Sequence, residues 1–164
     1  MTEQETELVM AARNAMRNAH APYSRFAVGA AVRLTDGGII TGSNFENASY
    51  GLSLCAETVA LAAANAQGRL TDVEAIAMAG GTIGPDGDIS GHEVIHPCGR
   101  CRQVINEAEQ ITGRYIPIYC AAADQDGMVE KHSLAELLPH AFGPANLGIA
   151  AGGWTHMETE AKDA

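Results

Sequence analysis

The chain has 164 residues, of which 46% are hydrophobic, and a formal net charge of −10 at pH 7. This length suits one domain with a hydrophobic core, and the apolar content excludes a disordered chain. The acidic balance, without a cluster of lysine or arginine, excludes a groove for a nucleic-acid strand, because such a groove must neutralise phosphates.

The sequence also indicates a cellular compartment. No apolar run reaches membrane-spanning length, and the acidic start lacks the basic and apolar regions typical of a signal peptide. We therefore expect a cytoplasmic protein without a membrane partner. In that compartment, its four cysteines should be reduced thiols or metal ligands and not disulfides.

The first part of the chain predicts a helix followed by a β-hairpin. Thr2 and Glu5 have the spacing of a capping box, and apolar residues recur at helical intervals to about residue 19. Pro22 ends this helix, because the residue before a proline is pushed away from helical geometry. Residues 28–34 and 39–45 are β-prone on either side of an Asp-Gly-Gly turn, which predicts a hairpin.

The rest of the chain alternates helices and strands. We predict helices over residues 57–67, 98–110 and 134–138, the last capped by Ser133, and strands over residues 73–79, 115–121 and 128–131. A long loop rich in Gly, Pro and Asp spans residues 80–96. This alternation predicts one layered α/β domain with a mixed sheet over residues 1–150, followed by a polar tail over residues 151–164.

Three cysteines and one glutamate lie at the starts of two predicted helices. Cys98 and Cys101 have a spacing that puts both side chains on one face of a first helical turn, and Cys55 precedes its own helix. Helix N-termini stabilise thiolates through the unsatisfied N–H groups and the helix dipole. Three protein ligands and one open position are typical of a catalytic zinc site, in which Glu57 would handle protons.

The same cysteines allow two other interpretations. A C-x-x-C pair can be a redox pair, and a structural zinc site would need a fourth ligand, for which Cys120 is the only other cysteine. Cys120, however, lies in a predicted core strand, where free cysteine is commonly a buried hydrophobic residue. We interpret His92 and His96 as loop residues, because three thiols already supply the ligands, and His132 as a surface or packing residue.

Several sequence blocks, taken together and in order, resemble the small homotetrameric zinc-dependent cytidine deaminases. The resemblance runs from about residue 21 to residue 144. The blocks are Ala21-Pro22-Tyr23-Ser24 with Phe26 and Val28-Gly29-Ala30-Ala31, Gly42, Asn44-Phe45-Glu46-Asn47-Ala48-Ser49-Tyr50-Gly51-Leu52, Cys55-Ala56-Glu57, Pro97-Cys98-Gly99-Arg100-Cys101-Arg102-Gln103, Leu137-Leu138-Pro139 and Phe142-Gly143-Pro144. Zinc deaminases as a class use such a ligand set and a glutamate that is not a ligand.

The resemblance implies an activity and the residues that carry it. Cys55, Cys98 and Cys101 would bind Zn²⁺, and Glu57 would shuttle protons. The reaction would be hydrolytic deamination of free cytidine and 2'-deoxycytidine to uridine and 2'-deoxyuridine with release of ammonia, as in pyrimidine salvage. The implied fold is a three-layer α/β/α sandwich with a five-stranded mixed sheet, and the implied assembly is a homotetramer.

The resemblance also implies a set of substrate contacts. Asn44 and Glu46 would hold the ribose hydroxyl groups, and alternate residues of a strand do point to the same side. Phe26 would pack against the base, and a backbone N–H near Cys98 or Ala56 would hold the edge of the base. Tyr50 and Phe142 would reach into a neighbouring subunit's pocket, and Ala48 lies in the same block as Tyr50.

The chain departs from this family beside the glutamate. Where the family often has arginine, the chain has Thr58. Three thiolates on Zn²⁺ leave a local charge of about −1, which weakens the ion as a Lewis acid. Arg100 would offset this charge by hydrogen-bonding the thiolates, or it is a surface arginine at a helix start. The 80–96 loop, longer than usual in the family, lines the pocket entrance or is a solvated hairpin.

Two other functions share parts of this pattern. A deaminase of the blasticidin S type, which acts on a cytosine nucleoside antibiotic, resembles this chain at Cys-Ala-Glu and at Cys-Gly-Arg-Cys-Arg-Gln. It lacks the Asn-x-Glu pair that this chain keeps as Asn44 and Glu46, which favours cytidine. A non-catalytic zinc-stabilised binding module would need a closed four-ligand site that includes Cys120, and Glu57 would have no role in it.

Overall fold

A computed structural model of the protein describes residues 1–150. The elements are α1 (Glu3–Ala15), β1 (Phe26–Leu34), β2 (Ile39–Ser43), α2 (Ala56–Ala66), β3 (Val73–Ile83), β4 (Ile89–Ser90), α3 (Gly99–Thr112), β5 (Ile118–Ala122), β6 (Val129–His132) and α4 (Leu134–Leu137). None of these helices has both the length and the apolar character needed to cross a membrane. The predicted polar tail, residues 151–164, lies outside the described residues.

The strands form one mixed sheet, as the sequence predicts. Its order is β2-β1-β3-β5-β6, and β4 pairs with β3 beside this path. The β3–β5 pair is parallel, whereas the other pairs are antiparallel. The sheet therefore has six strands, and the expected count of five is corrected by the short strand β4.

The additional strand comes from residues 80–96, whose first part is strand and not loop. β3 continues to Ile83, and the chain then turns back so that Thr82 pairs with Ser90. The glycines that suggested a loop allow this return, because a Cβ on Gly81 would lie 2.4 Å from the Ser90 carbonyl oxygen. Glycine inside a strand often marks such a close approach of two backbones. The hairpin alternative is thus the one that residues 80–90 adopt.

Helices cover both faces of the sheet, which confirms the three-layer α/β/α arrangement. α1 packs on one face through Leu8, Val9 and Ala12, which contact alanines of the strands. α2 and α3 pack on the other face, where Leu61 and Ile105 belong to the main core cluster. The capping box predicted for α1 is present, but a short 3₁₀ turn, Met16–Asn18, replaces the last helical turn expected before Pro22.

One glycine places the start of α2 against the sheet. A Cβ on Gly42 of β2 would lie 2.5 Å from the Ala60 nitrogen and 2.6 Å from the Ala56 carbonyl oxygen. No side chain fits in that space, so only glycine lets the first turns of α2 pack this closely on β2. This contact fixes the position of the helix start that carries Cys55 and Glu57.

Candidate active site

The three predicted thiols meet at the starts of α2 and α3. Cys55 and Cys98 are the N-cap residues of these helices, and Cys101 lies in the first turn of α3. The three sulfur atoms lie within 4.8 Å of one another, and Cys55 Sγ is 3.8 Å from Cys98 Sγ. Two sulfurs bound tetrahedrally at about 2.3 Å from zinc are about 3.8 Å apart, so the trio fits a zinc ion.

The local electrostatics favour thiolates at these helix starts. No side chain caps α2 or α3, so the first N–H groups of both helices are available to stabilise negative charge near the sulfurs. A hydrogen bond from Cys101 lowers the pKa of Cys55 to about 6. The same contact raises the pKa of Cys101, and a metal ion that binds there would displace the thiol proton.

Glu57 is buried beside the thiols. It is the second residue of α2, and only 4% of its surface is exposed. Burial raises the pKa of Glu57 above its usual range, while the N–H at the helix start and a hydrogen bond from Cys101 act in the opposite direction. A raised pKa brings the titration of a carboxyl group closer to neutral pH, which is the direction that general acid–base catalysis requires.

A cavity of about 490 Å³ lies over these residues. Its volume is within the range of small-molecule sites. The predicted residues that line it are Phe26, Asn44, Glu46, Cys55, Ala56, Glu57 and Cys98. A larger cavity of about 600 Å³ lies near Arg13 and Asp124, but it contains none of the thiols, and we therefore place the chemistry in the smaller one.

The two candidate ribose contacts are held by backbone groups. Glu46 Oε2 accepts from the backbone nitrogens of Tyr23 at 2.9 Å and Ser24 at 3.2 Å. These bonds, with one from the Ser24 side chain as the largest influence, lower the pKa of Glu46. Asn44 Oδ1 accepts from Val28 N at 2.9 Å, and Asn44 Nδ2 donates to Phe26 O at 2.9 Å. Both side chains are thus fixed before a ligand binds.

Three of the predicted substrate residues lie outside the cavity of the single chain. Ala48, Tyr50 and Phe142 are not among its lining residues. Tyr50 is 73% exposed and Phe142 is 62% exposed, and the Tyr50 ring packs on that of Tyr23, with ring centroids 5.5 Å apart. The large exposed aromatic surfaces are available to a second molecule.

The structure differs from the thiolate contact expected for Arg100. Its guanidinium is exposed and donates to the Ser53 carbonyl oxygen at 3.3 Å, and no hydrogen bond joins it to a sulfur among residues 1–150. Its charge still helps to lower the pKa of Cys55. Thr58 does contact a sulfur, since its Oγ1 lies 3.9 Å from Cys101 Sγ.

His96 is a cavity residue that the sequence interpretation missed. It lines the cavity together with Ile95, Ser53 and Leu54. The sequence signal for His96 is its position two residues before Cys98. The segment that ends the 80–96 loop therefore forms part of the cavity wall.

Cys120 does not join the other three cysteines. It is fully buried in β5, as predicted for a core strand, and burial raises its pKa to about 12. Its sulfur groups with His96 and His132 and not with the trio. The closed four-cysteine site that a binding module would need is therefore not formed among the described residues.

Known proteins resemble this chain over most of its length. Residues 2–116 match the family described as the cytidine and deoxycytidylate deaminase zinc-binding region. A cytidine deaminase of Halalkalibacterium halodurans is 42% identical over 82% of this chain and 91% of its own, and one of Mycobacterium tuberculosis is 41% identical over 80% of this chain and 84% of its own.

Solved structures give the same result. The crystal structure of cytidine deaminase from Burkholderia pseudomallei matches with a TM-score of 0.71 and 41% identity, covering 87% of this chain and all of that one. A cytidine deaminase structure from Mycobacterium tuberculosis matches with a TM-score of 0.64 and 37% identity, covering 87% of this chain and 99% of that one. The chain therefore belongs to the cytidine and deoxycytidylate deaminase family of zinc-binding proteins.

Proposed function

We propose that this protein catalyses the zinc-dependent hydrolytic deamination of free cytidine and 2'-deoxycytidine, with release of ammonia. The proposal rests on the positions of the thiols, Glu57 and two polar residues around one cavity. A zinc-compatible trio of thiols and the buried carboxyl group of Glu57 lie at the floor of a cavity whose wall holds Asn44 and Glu46. The similarity to proteins named cytidine deaminase supports the choice of substrate.

Glu57 is the residue to which we assign proton transfer. When bound, zinc supplies Lewis acidity that makes a water molecule nucleophilic near neutral pH. Glu57 accepts a proton from the attacking water and passes it to ring N3, as water oxygen bonds to C4 of the cytosine. It then helps to protonate the departing amine. Overall, one water is consumed, the C4–N bond breaks, and uridine and ammonia are formed.

The cavity wall orients the nucleoside. Both backbone hydrogen bonds to Glu46 within residues 1–150 end on Oε2, so Oε1 can accept from a ribose hydroxyl while Oε2 stays on the backbone of Tyr23 and Ser24. Asn44 Nδ2 has a second N–H that can donate to the same sugar. The Phe26 ring is partly exposed in the cavity, where it can pack against the base.

We further propose that four copies assemble and that the protein acts in the cytoplasm. The exposed rings of Tyr50 and Phe142 support the assembly, because they lie outside the cavity of their own chain and can reach that of a neighbour. A reducing compartment would keep the ligand thiols from forming disulfides. Light scattering of the purified protein measures the assembly directly, and a stable monomer would contradict it.

The proposed reaction is tested with cytidine, 2'-deoxycytidine and a matched pair of variants. We expect the wild-type protein to release ammonia and the corresponding uracil nucleoside, and a chelator to stop the reaction. Glu57→Gln should lower turnover by about 10²–10⁴-fold while zinc stays bound, since general acid–base catalysis contributes about that much. Glu93→Gln, which changes an exposed carboxylate in the 80–96 segment, should leave the rate unchanged.

The antibiotic-deaminase alternative is tested in the same assay with blasticidin S. We expect slower turnover than with cytidine, because the wall offers Asn44 and Glu46 to a ribose. A higher kcat/KM for blasticidin S would overturn the choice of substrate while leaving the reaction type intact. Near-normal turnover by zinc-loaded Glu57→Gln would instead overturn the mechanism.

A further inference from the structure

A second group of metal-ligating side chains lies next to the cavity. Within residues 1–150, two groups have ligand atoms that all lie within 4.8 Å of one another: the Cys55 trio and the group formed by His96, Cys120 and His132. We refer to the second group, with the adjacent Glu130, as the histidine cluster. None of its members belongs to the thiol trio, and Cys120 lies here with two histidines and not as the fourth ligand of the trio.

The topology brings these residues together from three parts of the chain. Cys120 on β5 pairs with Glu130 on β6, and His132 follows two residues later on the same side of β6. His96 comes from the segment that returns from β4 to α3. The cluster therefore joins the edge of the sheet to the segment that leads into Cys98.

The two imidazoles converge on one point. His96 Nε2 lies 3.1 Å and His132 Nε2 lies 3.0 Å from the same oxygen, Glu130 Oε2, and the ring centroids are 5.2 Å apart. Ligand atoms on one tetrahedral ion are about 3.4–3.8 Å apart. The ligand atoms of His96, His132 and Cys120 lie within 4.8 Å of one another, so a small adjustment of the side chains would let them bind one ion.

The chemistry of the donor set selects a class of ion. Two imidazoles, a thiol and a carboxylate match the ligands of Zn²⁺ and of neighbouring divalent transition metals, and not those of Mg²⁺ or Ca²⁺. Cys120 is fully buried, whereas His96, His132 and Glu130 are partly exposed, so the sulfur forms the floor and the other donors form the entrance. An ion that binds would displace the thiol proton.

We propose that His96, His132 and Cys120, with Glu130 as the adjacent carboxylate, form a second site for a divalent transition metal ion of the zinc class. This site is distinct from the thiol trio. Because His96 also lines the substrate cavity, an ion in the site fixes the part of the wall that precedes Cys98. The proposal does not depend on the identity of the nucleoside.

The test is a cobalt titration of the zinc-containing enzyme. The protein is purified with zinc, dialysed until it holds one zinc equivalent per chain, and titrated with Co²⁺, whose bonds to thiolate give a distinct charge-transfer absorption. We expect one further equivalent to bind with this absorption, while metal analysis shows that the first zinc equivalent is retained. Retention of the zinc ensures that the signal arises outside the trio.

Three variants assign the site. His132→Ala and Cys120→Ser should each weaken Co²⁺ binding by at least about 10-fold, since even loss of a supporting contact costs 10–100-fold in metal affinity. His92→Ala should bind as the wild type does, because His92 is 89% exposed, pairs with Asp124 and lies outside the cluster. Circular dichroism verifies that each variant is folded.

Each outcome bears on the proposal. Absence of a further equivalent in the wild type overturns it, as does cobalt binding without thiolate absorption, because Cys120 would then not be a ligand. Binding that is undiminished in His132→Ala also overturns it. If Cys120→Ser fails to fold, the absorption of the wild type still tests the sulfur, and His132→Ala still tests the location.

Discussion

The starts of α1 and α4 differ from those of α2 and α3 in how their first N–H groups are satisfied. α1 and α4 begin with complete capping boxes, Thr2 with Glu5 and Ser133 with Glu136. α2 and α3 begin with Cys55 and Cys98, and neither has a side-chain cap. A missing cap usually costs about 0.5–2 kcal/mol.

The capped starts of α1 and α4 stabilise their helices, whereas the uncapped starts of α2 and α3 supply metal ligands. Where sulfur occupies the N-cap position, the free N–H groups and the helix dipole favour the thiolate that a metal ion needs. The same position cannot also hold a strong oxygen cap. The site is thus formed where two helices give up the usual stabilisation of their first turn.

The largest effect should come from Cys55→Ser, which exchanges one kind of helix start for the other. Zinc affinity should fall by more than about 100-fold, because a direct ligand is lost and even indirect contacts are worth 10–100-fold. Deamination of cytidine should fall with it. The metal-free variant, however, should be more stable than the metal-free wild type, by up to about 1 kcal/mol, because serine is a good N-cap.

Metal analysis, an ammonia assay and urea unfolding after chelation measure these three quantities. Cys120→Ser changes a thiol outside the trio and serves as the control for zinc content at the first site. If metal-free Cys55→Ser were no more stable than the metal-free wild type, the proposed conflict between capping and metal binding would be wrong.

The next effect concerns the position of an uncapped helix start. In Gly42→Ala, the new Cβ would lie 2.5 Å from the Ala60 nitrogen, so α2 must shift away from β2. We expect a loss of about 1–3 kcal/mol in the free energy of unfolding, as for other overpacked sites. We expect a loss of about 100-fold in kcat/KM, since small misplacements of catalytic groups have that effect.

Gly84→Ala is the matched control, because its Cβ would lie 3.5 Å from the nearest atom, the Asp88 carbonyl oxygen. It should change neither quantity measurably. Wild-type kinetics in Gly42→Ala would show that the close packing of α2 on β2 does not set the geometry of the site.

A smaller effect is expected where the helix start is fully capped. Thr2→Ala removes the side chain that accepts from Glu5 N at 3.2 Å. The free energy of unfolding should fall by about 1 kcal/mol. The rate of cytidine deamination and the zinc content should stay at wild-type values, because α1 packs on the opposite face of the sheet. A change in kcat at saturating substrate would contradict this separation of roles.

The smallest effect at neutral pH is expected from Glu5→Gln, since glutamine can still complete a capping box. A hydrogen bond from Tyr119, together with contacts from Thr2 and Lys131, lowers the pKa of Glu5 from 4.5 to about 2. The lowered pKa means that the charged form stabilises the fold above pH 4.5. This contribution is lost as the pH falls from 4.5 towards 2.

Chemical unfolding of the wild type and Glu5→Gln at a series of pH values measures this contribution. The wild type should be the more stable of the two above pH 4.5, and the difference should shrink steadily below that value. A difference that is independent of pH would show that the Glu5 contacts do not depend on its charge.

Much of the fold could be predicted from sequence because local signals agreed with the final structure. The Thr2–Glu5 spacing gave the start of α1, and the Asp-Gly-Gly turn gave the β1–β2 hairpin. β4 could not be predicted, because the glycine-rich sequence around it is typical of a loop. The actual role of these glycines is to let two backbones approach, and this becomes visible only when the distant Ser90 is placed.

The candidate site also has features that could be predicted from sequence and features that could not. The positions of the three cysteines and Glu57 at two helix starts could be predicted, because residue spacing and helix starts are local properties of the sequence. The direction of the Arg100 side chain could not, since several rotamers are open to a long side chain at a helix start. The grouping of His96 with Cys120 and His132 could not either, because it depends on strand order and on the path of the 80–96 segment.

The separation of the ligands along the chain has a further consequence. Cys55 and Cys98 are 43 positions apart, so an ion held by the trio closes a loop of the chain that contains α2, β3 and β4. Cross-links of this kind oppose unfolding. A ligand that binds only the folded chain shifts the folding equilibrium towards the folded state. Metal supply therefore governs the lifetime of the polypeptide against proteolysis as well as its capacity for turnover.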